Sequence, residues 1–340
     1  MPRKQYRSSG SLARLRGGIG VAFAAAAILA LAAPLAGCAA KEKGAHGIVV
    51  AVSILPQQYF LERIGGNRVT ALVLVGPGQN PHSYEPTPRQ MASLSGARAW
   101  IKSGTDFELA LEPKIRGQYP ALRIVDGTAG VAFRALEKHS HDGEGAERDD
   151  DEPAAGAAEP NGAMPADLNI DRHTWLGREP AKIMAGWIRD TLTAIDPDGA
   201  DLYRANCAAL VADIDREFDE LKTRLAPLAG SKVFVFHPSF GYFLDEFGIK
   251  QEAVETGGKE PTAQALARLI DEAKQDKPAA IFVQAQFPVN AAEKIADSVG
   301  AKVVPLDPLA PDWLDNVKRI GDALEKNAKE TAKRGAESAK

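Results

Sequence analysis

Cysteine is scarce in this 340-residue chain. Cys38 and Cys207 are the two it has, and neither stands in a CxxC pair, which excludes a zinc site built on paired thiolates. A basic surplus is also missing: 41 Lys and Arg against 45 Asp and Glu leave a net charge of -4. Phosphate backbones need clustered Lys and Arg, so nucleic acid is excluded as the main partner. No HExxH occurs among the six histidines, so the helical zinc-protease signature is absent. What is present is ordinary. Hydrophobic content of 45% and charged content of 25% describe a chain that folds mostly as a soluble protein. Its length favours two domains over one.

The N-terminus stands apart. Residues 2–16 carry Arg3, Lys4, Arg7, Arg14 and Arg16 and no acid, Ile19–Leu35 is apolar and rich in Ala and Leu, and Leu35-Ala36-Gly37-Cys38 closes the stretch. A basic region, an apolar core and small residues before the cut make an export signal. The ending LAGC resembles the lipobox of bacterial lipoproteins. That resemblance implies removal of residues 1–37 and attachment of lipid to the Cys38 sulfur. The alternative is an uncleaved N-terminal anchor, because the apolar run is near the ~20 residues that a span needs. Both place the rest outside the cytoplasm, in the periplasm or at the cell surface. Residues 38–47 read as a polar tether, with His46 a solvated linker residue. If Cys38 is lipidated, Cys207 is unpaired and reads as a small buried hydrophobe on a helix.

From Ile48 onward, strand-like and helix-like segments alternate. Strands are expected at Ile48–Ile54, Val69–Val75, Ala99–Lys102, Arg123–Val125, Lys232–Phe236, Ala280–Val283 and Ala301–Leu306. Helices are expected at Pro56–Ile64, Pro88–Leu94, Leu109–Ile115, Glu179–Asp196, Gly199–Leu225, Phe240–Phe247, Thr262–Gln275, Asn290–Val299 and Trp313–Asn327, before a fraying tail at 329–340. This is the signature of βαβ units and a parallel sheet, hence an α/β fold. The helix at 199–225 is about 40 Å long at 1.5 Å per residue. Leu202, Cys207, Leu210, Ile214, Phe218 and Leu221 give it an apolar stripe, and its length suits a bridge between domains. Residues 138–166 break the alternation. The segment is rich in acids, Gly, Ala and Pro and is expected to be a disordered loop. It holds His139, His141 and Asp142, which read either as part of a solvated acidic insertion or as a weak metal-collecting loop.

Three metal-competent side chains sit just past expected strand ends: His82 after Val69–Val75, His237 after Lys232–Phe236 and Asp307 after Ala301–Leu306. In open α/β sheets ligands bind at those carboxyl ends. Thr87-Pro88-Arg89-Gln90 reads as a capping box, so His82 is held between a strand end and a helix start. His173 lies in a loop before a long helix. Three imidazoles and a carboxylate suit zinc in fourfold geometry, and four protein ligands would leave no open position for water, which points to binding rather than catalysis. The four come from distant segments without HExxH or HxH spacing, so each also reads singly as a hydrogen-bonding or turn residue. Glu85 reads as a general base or as a charge complement to the helix that follows.

Four stretches together carry a family resemblance: NPHSYEPTP (80–88), DRHTWLG (171–177), VFHPSFGYFLDEFG (235–248) and VPLDPLAPD (304–312). Their order and spacing, and the acidic insertion before the second, resemble the solute-binding proteins of bacterial zinc and manganese ABC importers. The likeness runs from Ile48 to about Asn327. It implies two Rossmann-like α/β lobes, at 48–196 and 229–328, joined by the linker helix 199–225, with a metal in the interlobe cleft held by His82, His173, His237 and Asp307. His at the third position leans towards Zn2+ where a carboxylate leans towards Mn2+. Gly177-Arg178, Pro238-Ser239 and Gln284 depart from residues that are common in the family. The resemblance implies a monomeric, non-enzymatic, lipid-anchored receptor that hands Zn2+ to an ABC permease. The alternatives are a manganese or iron receptor, a metal-dependent adhesin, or an exported zinc hydrolase with Glu85 or Glu255 as base.

Overall fold

The run Ile48–Ile54 (β1) is apolar almost throughout, and its Val50, Ala51, Val52 and Ile54 are fully buried. Burial on both faces is what a central parallel strand requires. In the computed structural model, which describes residues 47–136, 170–255, 262–287 and 289–338, β1 lies between β2 (Val69–Val75) and β3 (Ala99–Lys102). With β4 (Arg123–Asp126) they make a parallel sheet in the order β2-β1-β3-β4. Between the strands run α1 (Leu55–Gly65), α2 (Pro88–Ser93) and α3 (Asp106–Gln118). Then α4 (Arg178–Ile195) and α5 (Ala200–Leu225) lead to a second lobe on the same plan. Its strands are β5 (Lys232–Val235), β6 (Lys250–Ala253), β7 (Ala280–Val283) and β8 (Lys302–Pro305), parallel in the order β6-β5-β7-β8. They are connected by α6 (Gly241–Asp245), α7 (Ala263–Asp276) and α8 (Asn290–Val299), and α9 (Trp313–Ser338) follows.

The long helix is present and touches both lobes. Tyr203, Cys207, Leu210, Ile214, Phe218, Leu221 and Leu225 form its buried stripe at helical spacing, packed against α1 and α4 on one side and α9 on the other. Arg224 on its last turn pairs with Asp322 and Glu325 of α9. Cys207 is buried and unpaired, as expected, with its thiol directed at the Ala185 carbonyl. Leu202, expected in the stripe, is exposed; the apolar face begins at Tyr203.

Other differences have local causes. The strand β6 was not expected, because KQEA is polar; it is an edge strand held by its backbone ladder to β5. Helix α3 runs through Pro113. The ring lies on the exposed side with Leu109, whose carbonyl loses its i+4 partner where water can replace it. Helix α6 is shorter than expected because Phe247-Gly248 turns out of it, with Gly248 at φ +66°. The expected frayed tail is instead helical to Ser338. Thr331 accepts from the Ala279 N–H and Lys302 pairs with Glu330, which docks the last turns on the second lobe. The export signal at 1–37, Cys38, His46 and the insertion at 138–166 with His139, His141 and Asp142 lie outside the described residues. Among the described residues, no helix is long and apolar enough to cross a membrane.

Candidate metal centre

Each histidine is held by its own piece of backbone. After β2, a single 3-10 turn at Pro81–Ser83 carries His82, and the Asn80 side chain caps it by accepting from the His82 N–H at 2.9 Å. The capping box of α2 is formed: Thr87 Oγ1 accepts from the Gln90 N–H, and Gln90 Oε1 accepts from the Thr87 N–H. The Gln90 amide also donates to Leu74 O, so helix and strand fix the His82 loop from both ends. His173 follows an isolated bridge between Ala135 and Ile170 and leads into a 3-10 helix at Thr174–Leu176. His237 comes two residues after β5 ends. Its N–H donates to Gln284 Oε1 at 3.1 Å and its carbonyl accepts from Gln284 Nε2 at 2.8 Å. Gln284, at the end of β7, thus grips the His237 peptide on both sides.

The three rings converge. His82 Nε2 and His237 Nε2 are 3.1 Å apart, and His237 Nε2 and His173 Nε2 are 3.0 Å apart. Among the described residues these three form a metal-competent group, with ligand atoms all within 4.8 Å of one another. A tetrahedral ion with Zn–N bonds of 2.0–2.1 Å sets nitrogens about 3.3 Å apart, so the spacing fits a single zinc ion. Each outward-facing nitrogen meets a carboxylate: His82 Nδ1 with Asp106 Oδ2 at 2.8 Å, His173 Nδ1 with Asp171 Oδ1 at 2.8 Å, and His237 Nδ1 with Glu255 Oε1 at 2.5 Å. A carboxylate accepts only, so in the neutral ring the proton sits on Nδ1 and the Nε2 lone pair faces the centre. Three unshared pairs directed at one point attract a cation.

Burial shapes the electrostatics. Desolvation drives the pKa of His237 down to about 4, against the pull of Glu255, and the neighbouring His173 and His82 push the same way. Its imidazole is therefore neutral at physiological pH, as ligation demands. Asp106 lies below the ordinary carboxylate value, chiefly through its hydrogen bond to His82. Burial works to raise Asp171, but His173 and Arg134 bring it below that value. The Phe287 ring stacks on His237, with centroids 4.5 Å apart. Together with Trp175, Pro308 and Leu309 these rings enclose a cavity of about 20 Å³, room for one ion.

Asp307 is not brought into this group. It lies past the end of β8, where its Oδ1 accepts from Gln286 Nε2 and from the Leu309 N–H, each at 2.9 Å. Gln286 itself lines the cavity, so the carboxylate is held just behind the wall. Glu85 stands in a separate cavity beside His82 and Asp106. Glu255 is engaged with His237 Nδ1, which makes it an orienting group and not a base aimed at the centre. Sequence reasoning did not find the carboxylates of Asp106 and Asp171 or the amides of Gln284 and Gln286 as site residues in these roles. Asp171, two residues before His173, had a local signal; Asp106 sits at the start of α3 with none.

Comparison with known proteins points to zinc as well. Residues 50–330 match the family described as zinc-uptake complex component A, periplasmic. A solved structure named as the crystal structure of ZnuA superposes with a TM-score of 0.72 and 36% identity, covering 83% of this chain and 99% of that one. The high-affinity zinc uptake system protein ZnuA of Bacillus subtilis is 26% identical over 265 residues, 76% of this chain and 78% of that protein. The zinc-binding lipoprotein AdcA of Streptococcus pneumoniae R6 is 25% identical over 278 residues, 81% of this chain but 52% of that longer protein. Two parallel-sheet lobes, a triad of imidazoles between them and these likenesses lead to one conclusion: the chain belongs to the zinc-uptake complex component A family and is a zinc-type solute-binding protein of the ABC importer class.

Proposed function

We propose that His82, His173 and His237 take Zn2+ from outside the cytoplasm and hold it between the lobes until a membrane permease of the ABC importer receives it. The observation that carries this reading is the convergence of the three Nε2 atoms, each ring fixed through Nδ1 by a carboxylate. Imidazole donors suit zinc better than manganese, which prefers oxygen. Asp307 is the proposed fourth ligand, reached by exchanging the Gln286 amide and the Leu309 N–H for the ion. With protein ligands filling the coordination sphere, binding and not hydrolysis is the chemistry. Cleavage before Cys38 and lipidation of its sulfur would keep a monomeric receptor at the membrane, with 38–47 as tether. His139, His141 and Asp142 of the 138–166 insertion would collect the ion weakly before it reaches the cleft. The lobes are assigned to 48–196 and 229–328.

Calorimetric titration of the full chain with Zn2+, with Mn2+ as competitor, tests the reading. One tight zinc site indifferent to manganese is expected. His237→Ala should weaken it by two orders of magnitude or more, beyond the ~10–100-fold typical of outer-shell changes. Tight manganese binding would keep the receptor and change the cargo. No tight site for either metal would overturn the assignment.

A further inference from the structure

We infer that Arg134 is a positioning residue that ties retention of the ion to contact between the two lobes; the inference rests on the zinc-receptor reading. The starting point is Asp171, whose side chain is fully buried. Its Oδ1 accepts from both the N–H and Nδ1 of His173, at 2.9 and 2.8 Å. Its Oδ2 accepts from Arg134 Nη1 at 2.8 Å. Arg134 comes from the segment after β4, and its carbonyl accepts from the Asp171 N–H. The carboxylate that orients a metal-binding ring is therefore itself held by one guanidinium.

That guanidinium reaches the other lobe. Arg134 Nε donates to Asp245 Oδ2 at 2.8 Å, on the last turn of α6. From the same helix the Tyr242 hydroxyl donates to Asp171 O at 2.9 Å and accepts from the Arg134 N–H at 3.1 Å. Helix α6 begins at Gly241, four residues after His237. A Cβ on Gly241 would lie 1.8 Å from Arg134 Nη1 and 2.7 Å from Asp171 Oδ2. The second lobe thus leaves a side-chain-sized space that the first lobe's arginine fills.

Charge balance alone accounts for part of this. A fully buried carboxylate needs a cation, and Arg134 supplies it. It does not account for the second bond to Asp245, which is half exposed and has water available. Nor does it account for a glycine that admits the guanidinium between α6 and Asp171. Those two features make Arg134 a strut from Asp245 through Asp171 to His173 Nδ1. If the lobes part at α6, Arg134 loses its second-lobe anchor and Asp171 loses the bond from Tyr242, which slackens the hold on His173. Ion escape and lobe separation then share one barrier.

Chelator-driven release of Zn2+ from the full chain, followed by stopped flow, reads that barrier. The visible spectrum of the Co2+-loaded protein reads the ligand set independently. Asp245→Asn removes the charge that Arg134 Nε meets in the second lobe, at a half-exposed position, and leaves the Tyr242 bond in place. It should speed release about threefold, with the Co2+ spectrum unchanged. Gly241→Ala, which displaces the guanidinium, should speed release by about tenfold or more, and Arg134→Lys should fall between the two because a point charge cannot bridge both carboxylates. Release at the parental rate from both Asp245→Asn and Gly241→Ala would overturn the coupling, even if zinc still binds tightly. A parental protein that binds neither Zn2+ nor Co2+ tightly would overturn the receptor reading and this inference with it.

Discussion

An imidazole in water offers either nitrogen to a metal, and three free imidazoles would rarely offer the same one to the same point. Here Asp106, Asp171 and Glu255 make that choice by accepting from Nδ1. The carboxylate also makes Nε2 more basic, so its removal weakens ligation without removing a ligand. Glu255→Gln should therefore lower zinc affinity by about 10–100-fold while leaving one site per chain, as read by competition with a chelating dye. Gln286 acts in the opposite sense by occupying Asp307. In Gln286→Ala the proposed fourth ligand reaches the ion without giving up that bond, and a stronger oxygen contribution favours manganese relative to zinc. The preference for zinc should narrow by about tenfold, and Asp307→Ala in that background should restore it. An unchanged preference would show that Gln286 does not control the fourth position.

The segments that present the site are themselves anchored by short-range rules. The capping box at Thr87 and Gln90 needs only neighbours in sequence and was legible; the Asn80 cap on the His82 turn is as local but was not read from the sequence. The junction between α4 and α5 depends on a distant partner: Asp196 accepts from Arg68 Nε and Nη2, at 2.7 and 2.8 Å, and from the Tyr203 hydroxyl. Arg68 and then Tyr203 hold the Asp196 pKa below the ordinary carboxylate value. In the unfolded chain the group returns to about 3.9. The unfolded state then binds more protons in the interval between the two values, so the contribution is complete above about pH 5 and is lost as pH falls through 4 toward the folded value. Asp196→Asn should be less stable than the parent at pH 7, and urea midpoints should converge once pH falls below the folded value. A gap that persists in acid would mean that the effect is packing and not charge.

Across the whole molecule, the cleft is bounded by more than the metal. Trp175 Nε1 donates to Pro308 O and Trp313 Nε1 donates to Trp175 O, each at 2.8 Å, so Trp175 of the first lobe is held through both its indole and its carbonyl by the second. Helix α5 packs on both sides of the same division. With so much apolar surface shared, wide opening would expose buried Phe60, Trp175 and Trp313 to water. Small-angle scattering should accordingly change little between metal-free and zinc-loaded protein. A large expansion without metal would show that α5 acts as a hinge.

Sequence alone determined the α/β class and, β6 apart, the order of strands and helices, because apolar periodicity and caps act over a few residues; it proposed His82 and His237 from their places after strand ends and His173 from a loop before a helix. It also placed β1 and α8 to the residue. It did not give β6, since an edge strand is held by a backbone ladder and its side chains need not be apolar. It gave no role to Asp106, which reaches its ring from 24 residues away, and offered Glu255, 18 residues from His237, as a base and not as the group that orients the ring. Only the tertiary structure decided that Asp307 is held by Gln286 rather than turned inward, and that Arg134 stands between His173's carboxylate and the other lobe. Those are choices among partners a few ångströms apart, and only packing brings the partners together.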